Sequence, residues 1–319
     1  MDQDDVRIVK WVAPIGWMGP RVLLANRPWI SSIAIVLVLL TMISGCEKRS
    51  QVPSDEIAQI YPSLPGGRVW TSNWDDGSLR HLRSGQRDPY SPLLIARGNG
   101  TVTIDGAGTA TVSGISPRIY VYDESQELKW GDVEVTVYGM RRGETSSVGS
   151  QGLVIGGRSE HQNASSDVCA GQTYYGRLLL DGRVGFQKEL VHDHLYSSSR
   201  PANSFADWSQ FGGTFPRDVW IGLKFVIRNN SSEAVSLELY TDITGGDQGG
   251  DWKLVAKYVD DGQWTADLSE SATLLGCHDV LEVFADPATS IFLRADYVEA
   301  MSFRSFSIRE IEPESSGSP

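Results

Sequence analysis

The chain has 319 residues, a formal net charge of −12, 33 glycines and 14 prolines. Its apolar share of 40% excludes a wholly disordered chain, and its acidic balance excludes generic nucleic-acid binding, which needs a basic surface. The many glycines and prolines favour a fold with frequent turns over a helical bundle.

The first segment has the pattern of an export signal. Arg21 and Arg27 precede an uncharged stretch that contains the apolar run Ile33–Leu40. A basic region followed by an apolar region is typical of a secretory signal peptide. We therefore expect a signal peptide over residues 1–45, with Met18 as an alternative start.

This segment ends in Ile43-Ser44-Gly45-Cys46, which resembles the lipobox of bacterial lipoproteins. The resemblance implies cleavage before Cys46, lipidation of its thiol, and a lipid-anchored position in the bacterial cell envelope, periplasmic or surface-exposed. The alternative is an uncleaved anchor helix, because the uncharged stretch is nearly long enough to span a bilayer. Residues 46–65 contain several Ser, Pro and Gln residues and predict a lipidated tether.

Residues 66–311 consist of short candidate strands separated by turns. The strands are rich in Val, Ile, Tyr, Phe and Thr, and polar and apolar residues alternate clearly in Val133–Tyr138 and Val235–Tyr240. These patterns predict an all-β domain, a two-sheet antiparallel β-sandwich, followed by a disordered tail at 312–319. The predicted strands are Arg68–Thr71, Leu93–Arg97, Thr101–Ile104, Thr109–Val112, Arg118–Tyr122, Val133–Tyr138, Leu153–Arg158, Tyr174–Leu180, Val184–Leu190, Val219–Arg228, Val235–Tyr240, Lys253–Val259, Ile291–Ala295 and Phe303–Ile308.

Two cysteines remain if Cys46 is lipidated. In an exported domain, Cys169 and Cys277 could form one disulfide across a long loop. The alternative is a pair of buried free thiols. Their spacing does not fit a metal site.

Basic, histidine and tyrosine side chains concentrate between Gly156 and Tyr196. A site for a uronic acid needs such groups, because a cation neutralises the carboxylate, a base removes the proton at C5, and an acid protonates the leaving oxygen. The alternative is an ordinary charged sheet face, in which Arg158 and Glu160 pair with neighbouring charges.

The predicted sandwich resembles the concanavalin A-like jelly roll of lectins, glucanases and polysaccharide lyases. Arg158-Ser-Glu-His161 resembles the Arg-Ser/Thr-Glu-Leu motif of alginate lyases, in which the arginine contacts the uronate carboxylate. Gln187 and His192 are similar to the Gln-x-His pair of that family, although they are five residues apart, and Trp220–Lys224 is similar to its Tyr-x-Lys-x-Gly strand.

These considerations give a set of expected site residues. Tyr175 or Tyr196 would take the place of the family's catalytic tyrosine, which has no clear counterpart here. The expected catalytic residues are Arg158, His161, His192, Lys188 and Tyr175, and the expected substrate-binding residues are Glu160, Gln187, Arg177 and Lys224.

Other acidic and aromatic residues suggest further sites. A glycine-rich loop holds Asp242, Asp247 and Asp251 and could wrap calcium, or it could be a plain loop; no other cofactor is expected. Glu238 and Asp242 could replace the carboxylate pair of a glucanase, whose Glu-x-Asp-x-x-Glu motif is absent. The candidates for stacking on sugars are Trp74, Trp208 and Trp264.

The sequence therefore predicts an exported, membrane-anchored monomer that engages polysaccharide and cleaves a uronate-containing glycan by β-elimination. The alternatives are a non-catalytic glycan-binding lipoprotein and a structural envelope protein. Four basic and three acidic residues precede Cys46, so the remainder of the chain carries −13. A polyanionic substrate thus requires a basic groove on an acidic surface.

Overall fold

The computed structural model describes residues 56–146, 152–163, 167, 169–192, 195–202, 204–264, 276–277, 279 and 281–313. The predicted signal peptide, Cys46 and the tail beyond residue 313 lie outside the described residues. Within the described ranges, no helix is long and apolar enough to cross a bilayer.

Antiparallel β-strands form nearly all of the regular structure in this part of the chain, together with the short 3₁₀ helices His161–Asn163, Ser209–Phe211 and Asp247–Gly249. The strands are β1 (Val69–Thr71), β2 (Arg80–Arg83), β3 (Arg87–Asp88), β4 (Ser91–Ile104), β5 (Ala110–Tyr122), β6 (Val133–Glu144), β7 (Gly152–Ser159), β8 (Thr173–Leu179), β9 (Val184–Val191), β10 (Leu195–Tyr196), β11 (Ile221–Ser231), β12 (Ala234–Asp242), β13 (Lys253–Asp260), β14 (Ser290–Arg294) and β15 (Val298–Glu310).

The strands form two packed sheets, which confirms the predicted all-β sandwich. The first sheet has the order β10-β9-β8-β7-β14-β5, and the second continues as β5-β15-β6-β11-β12-β13. β4 lies beside β5. Strands β7, β8 and β9 of the first sheet face β11, β12 and β13 of the second. The core between them includes stacked Phe186 and Phe225, whose ring centroids are 5.8 Å apart.

β5 belongs to both sheets. Its residues Arg118–Tyr122 pair with β14, whereas Ala110–Gly114 pair with β15. Gly114 lies at the bend between these halves with φ of 135°, and a Cβ there would be 2.6 Å from the carbonyl oxygen of Asn99. A glycine is therefore required for β4 and β5 to remain paired through the bend. The sequence predicts each of these long strands as two short ones.

The three tryptophans expected to stack on sugars belong to the core instead. Trp74 and Trp264 are fully buried, and Trp208 is buried as well. Their polar sequence neighbours suggested exposed loops, but the large apolar area of each indole is removed from water by the sandwich.

Residues 56–65, which composition assigns to the tether, lie against the outer face of the second sheet. Ile57 is buried, and the backbone N–H of Ala58 donates to the carbonyl oxygen of Gly249. The N–H groups of Ile60 and Tyr61 both donate to the carboxylate of Glu134 on β6. This segment is therefore held by contacts with the sandwich.

A disulfide joins Cys169 to Cys277, which are separated by 108 residues and have Cα atoms 5.2 Å apart. It connects the loop before β8 with the segment that leads into β14. Closing a loop of this length removes entropy from the unfolded chain and stabilises the fold by about 4 kcal/mol.

Candidate functional site

A groove of about 550 Å³ lies on the outer face of the first sheet, the face that points away from the core. Three adjacent strands contribute one arginine each: Arg97 from β4, Arg118 from β5 and Arg294 from β14. Tyr120, His161, Gln162, His192 and Asp296 also line this groove. We refer to this site as the basic groove.

Strand pairing aligns the arginines in one row. Arg97 pairs with Arg118 across β4 and β5, and Arg118 pairs with Arg294 across β5 and β14. Paired residues project to the same side of a sheet, and adjacent strands are about 4.8 Å apart. The next row contains Tyr120 and Phe292, whose stacked rings have centroids 4.5 Å apart and form the floor of the groove.

Two of these guanidinium groups have no carboxylate partner. Within the described residues, Arg97 makes no hydrogen bond or ion pair, and its Nε is buried. Among the same residues, the Arg118 guanidinium donates only to the carbonyl oxygen of Ser116, at 2.9 Å, and its buried Nε has no hydrogen-bond partner there. Arg294 is paired with Asp296 at 2.6 Å. The basic groove therefore carries uncompensated positive charge on an acidic protein and attracts anions.

Glu189 orients His192 at one side of the groove. Glu189 lies on β9 with its side chain fully buried, and its carboxylate accepts a hydrogen bond from Nδ1 of His192 at 3.0 Å. It also accepts hydrogen bonds from the hydroxyl groups of Tyr175 and Tyr196. Burial alone would raise the pKa of Glu189, but these hydrogen bonds and the neighbouring His161 hold it below its ordinary value. An ionised Glu189 thus fixes the tautomer of His192 with the hydrogen on Nδ1.

His161 occupies a more enclosed position in the 3₁₀ helix that follows β7. Its Nδ1 lies 2.7 Å from the hydroxyl of Tyr120, and its ring packs edge-on against His192 with centroids 4.2 Å apart. Its side chain is only 9% exposed, compared with 26% for His192. Burial is the main cause that lowers the pKa of His161 to about 4; the Glu189 carboxylate opposes it, and His192, Arg118 and Arg294 act in the same direction as burial. His161 is therefore neutral at pH 7.

The same two histidines and Glu189 could also hold a metal ion, because their ligand atoms lie within 4.8 Å of one another. Zn²⁺ is commonly bound by such a set. Two features oppose this use. The Glu189 carboxylate already accepts three hydrogen bonds, and Arg118 and Arg294 act on the same space with positive charge. The donor set fits an oriented histidine better than a cation site.

An exposed aromatic ring stands at one end of the groove. Tyr297 is 45% exposed and has φ of 52°, and its backbone N–H donates to the carbonyl oxygen of Ile115, which is itself 50% exposed. Both residues line the groove. An aromatic face in this position can pack against the C–H groups of a sugar ring.

Several expected site residues lie at or beside the groove. His161 and His192 line it directly, and Tyr175 is part of its buried aromatic floor. Gln187 pairs with Tyr175 in the sheet and so lies on the same face. Glu160 lies behind the groove, where its carboxylate accepts hydrogen bonds from Thr289 and from the Gln162 side chain.

Arg158 does not reach the groove. Its guanidinium is buried and donates to the carbonyl oxygens of Gly131, Phe284 and Ala285 and to the carboxylate of Asp132. A register shift between β7 and β14 inserts an extra residue here, and Arg158 has φ of 49°. This bulge reverses the alternation that placed Arg158 with the site, so its role is structural.

Two expected lysines are also elsewhere. Lys188 points into the core, where it is fully buried and its Nζ donates to Asp260 at 2.9 Å. Lys224 lies on the outer face of the second sheet, and its Nζ donates to Glu134 at 2.9 Å and to Thr136 at 2.7 Å. Both lysines are separated from the basic groove by a sheet, so neither contacts a ligand bound there.

The acidic loop is not arranged for calcium. Asp242 accepts hydrogen bonds from the backbone N–H groups of Thr244, Gly246 and Asp251 and from the hydroxyl of Tyr138. Its oxygens therefore face donors, and Asp251 pairs with Lys253. Asp247 lies in the 3₁₀ helix of this loop. Glu238 is likewise engaged by Tyr61, Tyr240 and Lys257, so no glucanase-type pair forms with Asp242.

The arginines that give the groove its charge are not among the expected site residues. Arg97 and Arg118 stand at the ends of predicted strands, and Arg294 stands one residue before the end of its strand. Each strand is otherwise largely apolar, and that pattern is the signal that could have identified these arginines. Which residues become neighbours in the sheet depends on the order of the strands. β14 lies beside β5 although the two strands are far apart in the sequence. Side chains alternate along a strand, so the expectation that Lys188 faces the site turns its neighbour Glu189 to the opposite face.

Comparisons with known proteins concern the fold. No protein-family model matches the chain, and a search of curated proteins finds no match. Among solved structures, the chain is similar to a double mutant of the alginate lyase Aly36B in complex with alginate tetrasaccharide, at 14% identity and a TM-score of 0.43, covering 80% of this chain and 100% of that chain. The VIP36 exoplasmic/lumenal domain in its Ca²⁺/Man₃GlcNAc-bound form matches at 12% identity and a TM-score of 0.41, covering 77% and 92%. Peanut lectin matches at 8% identity and a TM-score of 0.37, covering 74% and 98%. These proteins have concanavalin A-like jelly-roll folds, the fold class that the sequence predicts.

Proposed function

We propose that the chain binds an anionic polysaccharide in the basic groove and cleaves it by β-elimination next to a uronate. The observation that carries this proposal is the position of two uncompensated guanidinium groups, on Arg97 and Arg118, in the same groove as the His192–Glu189 pair. The first feature binds a carboxylate, and the second can move a proton.

The arginines supply the electrostatic part of the reaction. A uronate carboxylate held by Arg118 and its neighbours loses its effective negative charge, which makes the proton at C5 more acidic. Arg294 adds a third cation, although Asp296 already compensates it in part. These side chains take the role that the sequence analysis assigned to Arg158.

His192 is the better base of the two histidines. Its tautomer has the acceptor lone pair on Nε2, and it is more exposed than His161, whose low pKa makes it a weak base. His192 takes the C5 proton while the C4–C5 double bond forms and the C4–O4 bond breaks. The resulting imidazolium, stabilised by Glu189, returns the proton to the leaving oxygen when that oxygen and the C5 proton lie on the same face of the sugar.

The internal hydrogen bonds of the groove favour a second candidate function, glycan binding without catalysis. The hydroxyls of Tyr120 and Tyr175 are buried and already bonded to His161 and Glu189. A binding protein requires only the arginine row and the exposed ring of Tyr297.

Incubation of the purified protein with a panel of uronate-containing polysaccharides tests the proposal. Cleavage by elimination produces an unsaturated sugar that absorbs in the ultraviolet. We expect His192→Gln to abolish product formation while binding persists. Arg118→Gln should weaken binding by about 10- to 100-fold, as the loss of a charge-assisted hydrogen bond worth about 1.5–3 kcal/mol implies.

The matched control is Arg142→Gln, which removes one half-exposed cation outside the groove and should leave binding and turnover unchanged. Binding without an unsaturated product on the whole panel would establish the second function. Absence of binding to every anionic glycan would reject both.

We also propose that Cys46 is lipidated and that the sandwich is held at the cell envelope through it. The support is the lipobox-like sequence after the apolar run. Metabolic labelling with palmitate should mark the wild-type protein and not Cys46→Ala. Label that persists in Cys46→Ala would contradict this assignment.

A further inference from the structure

A second basic cavity lies at the far side of the first sheet. It has a volume of about 260 Å³ and is enclosed by β8, β9, residues 198–202 and Ser204. Among the described residues that line it, none carries a carboxylate. The polar side chains around it are Arg177, Arg183, Arg200, Ser198, Ser199 and Ser204. We refer to this cavity as the arginine–serine pocket.

Arg177 provides a cation that lacks a counter-ion. Its one hydrogen bond within the described residues is a long one, 3.4 Å from Nη1 to the Ser199 hydroxyl. Burial is the main cause that lowers the pKa of Arg177 to about 10; the cations Arg294 and Arg183 act in the same direction, and Tyr175 and Asp296 oppose them. A half-buried guanidinium with no charged partner among the described hydrogen bonds and ion pairs favours the binding of an anion.

The other two arginines add further positive charge to the pocket. Arg183 is paired with Asp181 at 2.7 Å, and Arg200 donates to the carbonyl oxygen of Ser199 at 3.3 Å. The carboxylate of Asp181 lies outside the pocket lining, so the polar side chains that line the pocket, among the described residues, are cations and hydroxyls. Guanidinium and hydroxyl donors together suit an oxyanion such as a carboxylate or sulfate.

The wall of the pocket is built by a close approach of two backbones. Arg200 pairs with Phe186 of β9 through reciprocal backbone hydrogen bonds. Gly185 has φ of 150°, and a Cβ there would lie 2.6 Å from the carbonyl oxygen of Arg200. The glycine lets residues 198–202 lie against β9, and it also leaves no side chain next to Arg177, its partner in the sheet.

The pocket is aligned with the basic groove. Arg294 pairs with Val154 across β14 and β7, and Val154 pairs with Arg177 across β7 and β8. Arg177 therefore stands in the same row, two strands and about 10 Å beyond Arg294. This distance places the two sites within reach of different sugars of one oligosaccharide.

We propose that the arginine–serine pocket binds a carboxylate or sulfate group on a sugar of the same glycan chain that occupies the basic groove. This assignment rests on the proposed function. It makes the pocket a specificity site that selects glycans with an anionic group at a set distance from the groove.

Ser199→Asp tests the pocket, because the new carboxylate lies beside Arg177 and occupies the anion position. Ser199→Asn is the neutral control at this exposed position. Both are made in the Arg118→Gln background, which weakens anion binding in the groove. Inorganic sulfate, compared with chloride at constant ionic strength, is titrated while the melting temperature is followed. We expect sulfate affinity to be at least about tenfold weaker with Ser199→Asp than with Ser199→Asn.

A length series identifies the source of the anion. Uronate and sulfated oligosaccharides of increasing length are titrated against wild-type protein, Ser199→Asn and Ser199→Asp. The affinity gained when the oligosaccharide becomes long enough should disappear only with Ser199→Asp, while short oligosaccharides bind all three proteins equally. Equal sulfate binding by the two Ser199 variants would overturn the pocket. Sulfate binding that is lost while the length dependence persists would overturn its assignment to the glycan. If the wild type binds no oligosaccharide at all, the proposed function fails, and the sulfate titration still decides whether the pocket binds an anion.

Discussion

Replacing Arg158 by methionine should destabilise the fold and leave glycan binding intact. The sequence resemblance gives this arginine the opposite role, contact with a uronate. In the structure its side chain is 1% exposed. It joins β7 to two other segments, through Gly131 and Asp132 in one and Phe284 and Ala285 in the other. Methionine retains much of the apolar stem and removes all of the donors.

The size of the effect follows from these contacts. Arg158→Met breaks the 2.8 Å ion pair with Asp132, whose side chain is 15% exposed, and breaking such a buried pair costs about 3–5 kcal/mol. The three carbonyl oxygens lose a charged donor as well. Asp132 keeps the N–H of Asn229 as a partner, which limits the loss. We expect a decrease of about 4 kcal/mol in the free energy of unfolding.

Urea denaturation of Arg158→Met, Arg118→Gln and the wild type measures this difference. Arg118→Gln removes a cation without a carboxylate partner, so its unfolding free energy should stay within about 0.5 kcal/mol of wild type while its glycan affinity decreases. Arg158→Met should thus change stability without changing glycan affinity, and Arg118→Gln should change glycan affinity without changing stability. An Arg158→Met protein that keeps wild-type stability and loses uronate binding would refute the structural role.

Three further predictions concern pH, the disulfide and the second sheet. The pKa of His161 is 6.5 in the unfolded chain and about 4 in the folded protein, so the unfolded chain binds the proton first as the pH decreases. The free energy of unfolding should therefore fall by about 3 kcal/mol between pH 6.5 and pH 4. Urea denaturation midpoints across this range measure the decrease, and His161→Asn should reduce the pH dependence. Cys277→Ser breaks the disulfide and should lower the free energy of unfolding by about 4 kcal/mol. The double variant Cys169→Ser/Cys277→Ser should be destabilised by the same amount. An unchanged denaturation midpoint would show that the disulfide does not stabilise the fold. Lys224→Met removes the ion pair with Glu134 and should lower the free energy of unfolding by about 2 kcal/mol. Glycan affinity should not change, because Lys224 lies on the second sheet. Weaker glycan binding in titration calorimetry would instead place Lys224 at the site.

The fold class could be predicted because it depends on local patterns. Alternation of side chains and turn residues identify strands without knowledge of their neighbours. The continuity of β4 and β5 could not be predicted, because a glycine such as Gly114 is typical of a turn. In the structure Gly114 instead allows a bend within a strand that stays paired. Strand order is also absent from these patterns, because β14 and β15 pair with strands distant in sequence.

The site could be predicted only in part for the same reason. His161 and His192 were identified because they are close in sequence and chemically distinctive. Alternation fails at Arg158, where a bulge reverses the side-chain direction. Alternation also does not decide which face of β9 is functional. The sequence analysis places Lys188 at the site, whereas in the structure its neighbour Glu189 is on the side of the groove.

The positions of β14 and β15 have a consequence for the order of folding. β14 lies between β5 and β7 in one sheet, and β15 lies between β5 and β6 in the other. Neither sheet can be completed until residues 290–310 have been synthesised, so β5, β6 and β7 each keep an open edge until then. Such long-range closure is slow, so these open edges depend on protection from aggregation until the last strands arrive.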